Sequence, residues 1–487
     1  MKGPSGGFLV QRRNRQNADV LSGRLEALIR PLARWDVGLA VFAWFCWFGG
    51  HLDQPISDVA IPLWVVSGIA LGLVSPLLGL GLTILVVPYL GGAADPAGAE
   101  LLRVIPILGA SVRVGVDRLR GERTFAAPRG EMTAVAFVAA GLSILTVFTA
   151  YLDRPNAEEL VLGAMPWLLG APVAFLATWI TAGHINESSH ALIADVVLVA
   201  TVLACLFALA AWAGVPWTAS FAYPTEVSGR LAAFGYPTPT GIGVAIALPF
   251  AAAAARRRHI LVAIVIMALG LTTVVLTGSR GPLIALGVGA LVALAVSGRL
   301  GVRTILAGVG IAAVVSAALV AVKYGTTLDQ IRSAVADVSA GDAQRIQSWR
   351  DAIAVAVQDP LTGGGWHSLS QAQEAGALGI GASHNLVLAN FADGGIPLGL
   401  TFTAVLVYSV MTMWRQRRSI APYAMAAATT LLVAGLWDVP NLRSYGAIMG
   451  GLALGIVARP VSDACDAGRT SSRQAKRARR SRADPAS

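Results

Sequence analysis

The sequence predicts an all-α, polytopic integral membrane protein of about 12–14 transmembrane helices with one long extracytoplasmic loop, and three observations carry that expectation. First, 55% of the 487 residues are hydrophobic and 13% are charged, roughly half the charged fraction of a soluble domain. Second, apolar runs of roughly 15–25 residues recur from Val37 to Val457, and about 20 apolar residues in a helix cross the ~30 Å hydrocarbon layer. Third, the Lys and Arg residues that give a formal charge of +10 fall in short connections and at the termini. That placement is the positive-inside pattern and implies contact with anionic membrane lipids, not nucleic acid. Because hydrocarbon offers backbone groups no partner, such runs must be helices packed on one another.

In chain order, residues 1–34 are polar and basic and read as a retained cytoplasmic arm, unlike a cleavable leader. Spans are expected at 35–50, 59–75, 77–93, 101–117, 132–152, 161–182 and 190–213, which form an N-terminal membrane region over 35–213. The run 59–93 is too long for one span, and Ser75-Pro76 supplies the turn that divides it. Segment 101–117 carries Arg103, Pro106 and Arg113 and is read as re-entrant or interfacial. Further spans are expected at 241–255, 260–277, 282–297, 303–322, 386–413, 420–437 and 446–459, within a second membrane region over 214–459. Residues 460–487 form a basic cytoplasmic tail.

The basic stretches at 113–131, 256–259, 298–303, 414–418 and 471–482 alternate with the spans so that all can face the cytoplasm. Residues 214–240, the turn at 278–281, the loop 323–385 and residues 437–446 then face outward. The loop of about 60 residues far exceeds an ordinary helix connection, which makes it the place to look for function. Cys46 and Cys205 lie in apolar runs and Cys465 in the tail, so no disulfide framework or metal cluster is read from them.

Few polar side chains of the outward segments have the chemistry of a site. Arg280 sits on a Gly-flanked turn between Thr277 and Pro282, as an interfacial anchor or as a two-point ligand for phosphate oxygens. In "AGDAQRIQSWRDAIAVAVQDP" a helix is expected between a cap at Asp342 and a stop at Asp359-Pro360. Ile346, Trp349, Ile353 and Val357 form one buried face of that helix, and Arg345 borders it. The three glycines of "TGGGW" permit close approach to another element or ligand, but without a following Lys-Ser/Thr they are no nucleotide loop. His384 and Asn385 open a span. An imidazole takes a proton from a hydroxyl near neutral pH, whereas a histidine at a helix start also serves as a cap; His367 competes for the same role. Arg230 precedes a Pro-rich turn and pairs with Glu226 if that segment is helical. Asp393, nine residues into the helix from His384 and therefore about 13 Å along it, is too far for direct contact.

These stretches together resemble the O-antigen ligase and O-antigen polymerase superfamily of bacterial envelope enzymes. The likeness rests on "SGRLAAFGYPTPTG", "SRGPLIAL", "RIQSWRDAIAVAVQDPLTGGGW" and "SHNLVLANFADGGIPLGL", covering about 225–400. The resemblance implies transfer of a glycan from an undecaprenyl-diphosphate carrier to a glycan or lipid-glycan acceptor hydroxyl, at the outer face of the bacterial inner membrane. It assigns Arg280 and Arg345 to the donor diphosphate and His384 to general-base catalysis, with Arg230 as a supporting site residue. Trp349, packed beneath Arg345, and Asn385, which orients the backbone or ligand, are expected to bind substrate, and no metal or other cofactor is expected because the two arginines can meet the departing charge. The alternative of another class is a transporter or flippase of lipid-linked glycans, which predicts ionisable residues near the midplane of several spans.

Overall fold

The computed structural model describes residues 35–50, 56–86, 102–119, 138–146, 172–185, 187–215, 226–227, 230–231, 237–297, 328–365, 368–369, 383–417, 420–437 and 444–458. The expected terminal arm and tail, the span 303–322 and His367 lie outside these residues. The described residues are helical except for turns and one two-residue ladder. The helices are α1 (Trp35–Gly49), α2 (Ile56–Val74), α3 (Pro76–Val86), α4 (Ile105–Leu119), α5 (138–146), α6 (Ala174–His184) and α7 (Glu187–Trp212). They continue with α8 (Pro237–Arg258), α9 (Ile260–Leu276), α10 (Arg280–Val296), α11 (Leu328–Gln358), α12 (Leu386–Arg415), α13 (Pro422–Trp437) and α14 (Ser444–Ala458). The protein is an all-α polytopic membrane protein. Among the described helices, those at 56–74, 189–212, 237–258 and 386–415 are long and apolar enough to cross a bilayer, and several shorter apolar helices pack beside them.

Between apolar helices in lipid, association rests on close packing, and small residues let backbones approach. At Gly109 an added Cβ would stand 2.5 Å from Ile69 O, so α2 and α4 meet backbone to backbone. The same device joins α10 to α13, where a Cβ on Gly289 would stand 2.5 Å from Ala426 O, and α14 to α6, where one on Gly455 would stand 2.6 Å from Trp179 O. The division expected in 59–93 falls at Ser75, between α2 and α3. Segment 105–119 is a helix packed on α2 and α3, with Arg103 just ahead of it and enclosed by protein.

Six helix ends meet at one end of the second membrane region. A Cβ on Gly241 of α8 would lie 2.9 Å from Thr277 Oγ1 and 3.1 Å from Pro282, so the start of α8, the end of α9 and the start of α10 are together. Gly243 packs against Tyr445 of α14, and Gly435 of α13 against Leu386 of α12. At the opposite end Arg257 donates to Ala191 O at 2.8 Å and Asp195 Oδ1 at 3.0 Å. His259 caps α9, and Phe250 meets Tyr423 edge to face with centroids 5.3 Å apart. Arg256–Arg258, Arg415 and Arg417 belong to that second end.

Candidate functional site

Arg230 lies in the antiparallel ladder Glu226–Val227/Arg230–Leu231, with Val227 opposite Arg230. The helical i, i+4 arrangement with Glu226 is therefore not formed. Arg230 instead reaches the α9–α10 turn, where Nε donates to Thr277 O and Nη2 to Ser279 Oγ, both at 2.7 Å. Gly278 has φ +61°, and a Cβ there would sit 3.1 Å from Arg230 Nε. Only glycine meets that backbone conformation and that close approach together. Ser279 is the N-cap residue of α10, but its side chain makes no cap hydrogen bond; its hydroxyl is shared by Arg230 and by Thr238 at 3.0 Å. Arg280 follows as the first residue of α10 and is exposed. Its position is thus fixed by a turn clamped from the neighbouring ladder and from α8.

His384 is the one non-glycine residue with positive φ among the described residues, at 49°. For an L-residue this left-handed geometry costs about 1–2 kcal/mol, and such strain persists where the surroundings hold it. The holding groups are its two neighbours. Ser383 Oγ donates to Asn385 O at 2.9 Å and accepts from Asn385 N–H at 3.3 Å. Asn385 Oδ1 accepts from the N–H groups of Val387 and Leu388 at 3.0 and 3.1 Å, capping α12, while its Nδ2 donates to Leu436 O at 3.1 Å. Asn385 thus ties the start of α12 to the end of α13, and His384 projects half-exposed from a rigid turn.

Arg345 and Trp349 lie on α11. This helix starts at Leu328, fourteen positions before the expected cap, so Asp342 is interior to it; the stop before Asp359-Pro360 is as expected. Ser348, one turn from Arg345, shares its hydroxyl between Arg345 O at 2.8 Å and Ser383 O at 3.2 Å. That bond docks the Arg345 turn on the residue before His384. Trp349 is half-buried, and its Nε1 is shielded from solvent without an acceptor among the described residues. The expected buried face is overturned: Ile346, Ile353 and Val357 are 49%, 51% and 71% exposed, whereas Ser348 and Ala352 are buried. Ala352 packs on Leu369 and Ala392, so the small-residue side of α11 faces the protein, because small side chains allow the closer approach.

The triple glycine and the helix break at Gly394-Gly395 fit each other. Pro397 has no N–H for Asp393 O, which accepts instead from Gly365 N–H at 3.0 Å. Gly364 donates to Ala392 O at 2.8 Å, and Ile396 N–H turns to Pro360 O at 2.7 Å. Asp393 Oδ1 accepts from both N–H and Oγ of Ser368, at 3.2 and 3.0 Å. The glycines therefore serve close approach of another element, and Asp393 engages Ser368.

Arg230 and the Arg280 turn, Arg345, Trp349 and His384 thus converge on the end of the region where α8 begins and α13 finishes. The polar residues that hold them, Thr277, Ser279, Ser348 and Ser383, carry no sequence signal beyond common occurrence. The break in "DGGIP" does carry one, since Gly-Gly ahead of Pro marks an interruption. Among the described residues no three His, Cys, Asp or Glu side chains converge as metal ligands would.

The fold and the site define a membrane-embedded helical protein with arginines and a histidine placed at one end of its second membrane region. Residues 263–403 match the family model described as O-antigen ligase, which supports membership of the O-antigen ligase superfamily and, with it, glycan transfer in general. The match runs from within α9 into α12 and includes Arg280, Arg345, Trp349, His384 and Asn385, while Arg230 precedes it. No curated protein matches the chain.

Proposed function

We propose that the protein transfers a glycan from an undecaprenyl-diphosphate carrier to an acceptor hydroxyl of a glycan or lipid-glycan, at the outer face of the bacterial cytoplasmic membrane. The observation that carries the reading is the Ser348–Ser383 tether, which joins the Arg345 helix to the His384 turn at the end of the bundle where Arg280 begins its helix. In this reading the acceptor oxygen attacks the anomeric carbon while His384 takes the hydroxyl proton. The new glycosidic C–O bond forms as the C–O bond to the diphosphate breaks, and the lipid diphosphate leaves with the bonding pair. Arg280 and Arg345 hold the growing phosphate charge with planar forks, so the step needs no metal. The indole N–H of Trp349, one turn from Arg345, offers a further donor to the same ligand.

Fixed cations serve this reaction because the departing group is a good one whose charge must be met where it appears. The positive-inside rule supports the sidedness, since Arg256–Arg258, Arg415 and Arg417 gather at the opposite end. Purified protein reconstituted with a lipid-diphosphate glycan, with and without candidate acceptors, tests the reading. Release of lipid diphosphate coupled to a lengthened or newly attached glycan is the expected product. Movement of intact donor across the bilayer without bond cleavage would overturn it.

A further inference from the structure

We propose that the second half of α11, continuing to Leu361, lies along the membrane surface with one side in the lipid headgroup and acyl boundary. The structure divides this helix three ways. Projected at 3.6 residues per turn, Ser348, Ala352 and Val355 form one side, which packs on α12 and Leu369. Gln347 and Gln358 lie exposed on a second, polar side, bordered by Asp351, which is buried and accepts from Gln347 Nε2 at 2.8 Å. Ile346, Ile353 and Val357 line the third, apolar side, and Leu361 extends it beyond the helix end with 76% of its surface exposed. A helix held in water would not keep three large apolar side chains aligned on an open face while burying Ser348 and Ala352. A helix in the plane of a bilayer surface must, because it has protein, lipid and water for its three neighbours.

What covers the apolar side is indicated by continuity with the lipid-facing surface of α12. Beyond its break, α12 runs from Ile396 to Arg415, about 30 Å at 1.5 Å per residue, enough to cross the hydrocarbon. Its exposed side carries Ile396, Leu400, Val407 and Val410. The bond from Ile396 N–H to Pro360 O joins the two stripes where Val357 and Leu361 end and Ile396 begins, at the boundary of that span. Arg350 lies at the margin between the apolar and polar sides, where a cation meets lipid phosphates. Arg345 lies on the other margin of the same helix. Docking would therefore set it at headgroup depth, although the inference concerns the surface of α11 and stands whatever chemistry the protein performs.

The test is photo-crosslinking of the full-length protein, one copy per lipid nanodisc, with benzoylphenylalanine introduced separately at Ile353, Val357, Gln347 and Gln358. Phospholipid adducts identified by mass should form at 353 and 357, several-fold above those at 347 and 358. Equal low yields at all four positions would overturn the proposal. So would adducts at 353 that appear only when two copies share a disc, which identifies a second copy as the occupant, or only after a polyprenyl diphosphate is added, which identifies a bound ligand chain. As a second measurement on a variant that keeps the helix, Ile353→Gln with Val357→Gln should leave the apparent melting temperature in detergent unchanged. The same variant should release phospholipid adducts from a probe at Leu361, and unchanged adduct yield there would count against docking.

Discussion

At His384 the structure separates two requirements that the sequence merges. Its backbone occupies a left-handed turn, and its imidazole is the proposed proton acceptor. Glycine meets the first requirement and not the second, so His384→Gly should fold at least as stably as the parent and yet lose turnover to the same degree as His384→Ala. His384→Ala should lower turnover by about 10²- to 10⁴-fold while lipid-diphosphate binding stays nearly intact. Donor binding lost together with turnover in both variants would make His384 a donor contact instead. The arginines are expected to behave differently. Lysine keeps the charge of Arg280 or Arg345 but not the planar fork, so each Arg→Lys change should weaken donor binding or slow transfer by about tenfold or more. Full activity in either variant, measured with saturating and limiting donor, would remove that arginine from the diphosphate site.

Among the elements, the interlock of the triple glycine with the break in α12 decides where α11 sits. Gly395 has φ 64° and ψ −163°, a region only glycine occupies, and an added Cβ would stand 2.6 Å from Pro360 O. Gly395→Ala is expected to cost about 2–4 kcal/mol through backbone strain and steric conflict, read as a clear fall in apparent melting temperature in detergent. Gly287, inside α10 with nothing within 4 Å of its Cβ position, is the control: Gly287→Ala should raise stability slightly, by up to about 1 kcal/mol. Much of this level was legible in the sequence. The membrane helices follow from apolar run length, the turn before Arg280 from Gly278 and Pro282, and the stop of α11 from Asp359-Pro360. Other features were not legible because they are tertiary. The exposed apolar side of α11 looks buried under periodicity, which records polarity and not which neighbour the side meets. The Arg230 clamp joins residues 47 and 49 positions apart through a carbonyl and a hydroxyl, partners that leave no pattern along the chain.

For the whole molecule, charge and site divide between the two ends of the helix bundle, and that division makes sidedness testable. Arg256–Arg258 close α8, Arg415 ends α12 and Arg417 follows it. Positive residues in short connections are retained on the cytoplasmic side because their transfer across the bilayer is opposed during insertion. Helices α8, α10, α12 and α13 begin or finish at the other end, and α11 is tied to it through Ser383, so that end is expected to face outward. A membrane-impermeant thiol reagent applied to intact spheroplasts should therefore label Ser339→Cys on α11. It should reach His259→Cys, at the α8–α9 junction, only after permeabilisation. The parent chain, with Cys46 and Cys205 buried, sets the background. Two further results discriminate. Labelling at 259 in intact cells with protection at 339 would invert the molecule and place the arginines and His384 on the side where acceptors beyond the membrane cannot reach them. Reaction at both positions without permeabilisation would break the alternation of the helices between the two sites, and with it the argument that a single face of the bundle carries the glycan-transfer chemistry.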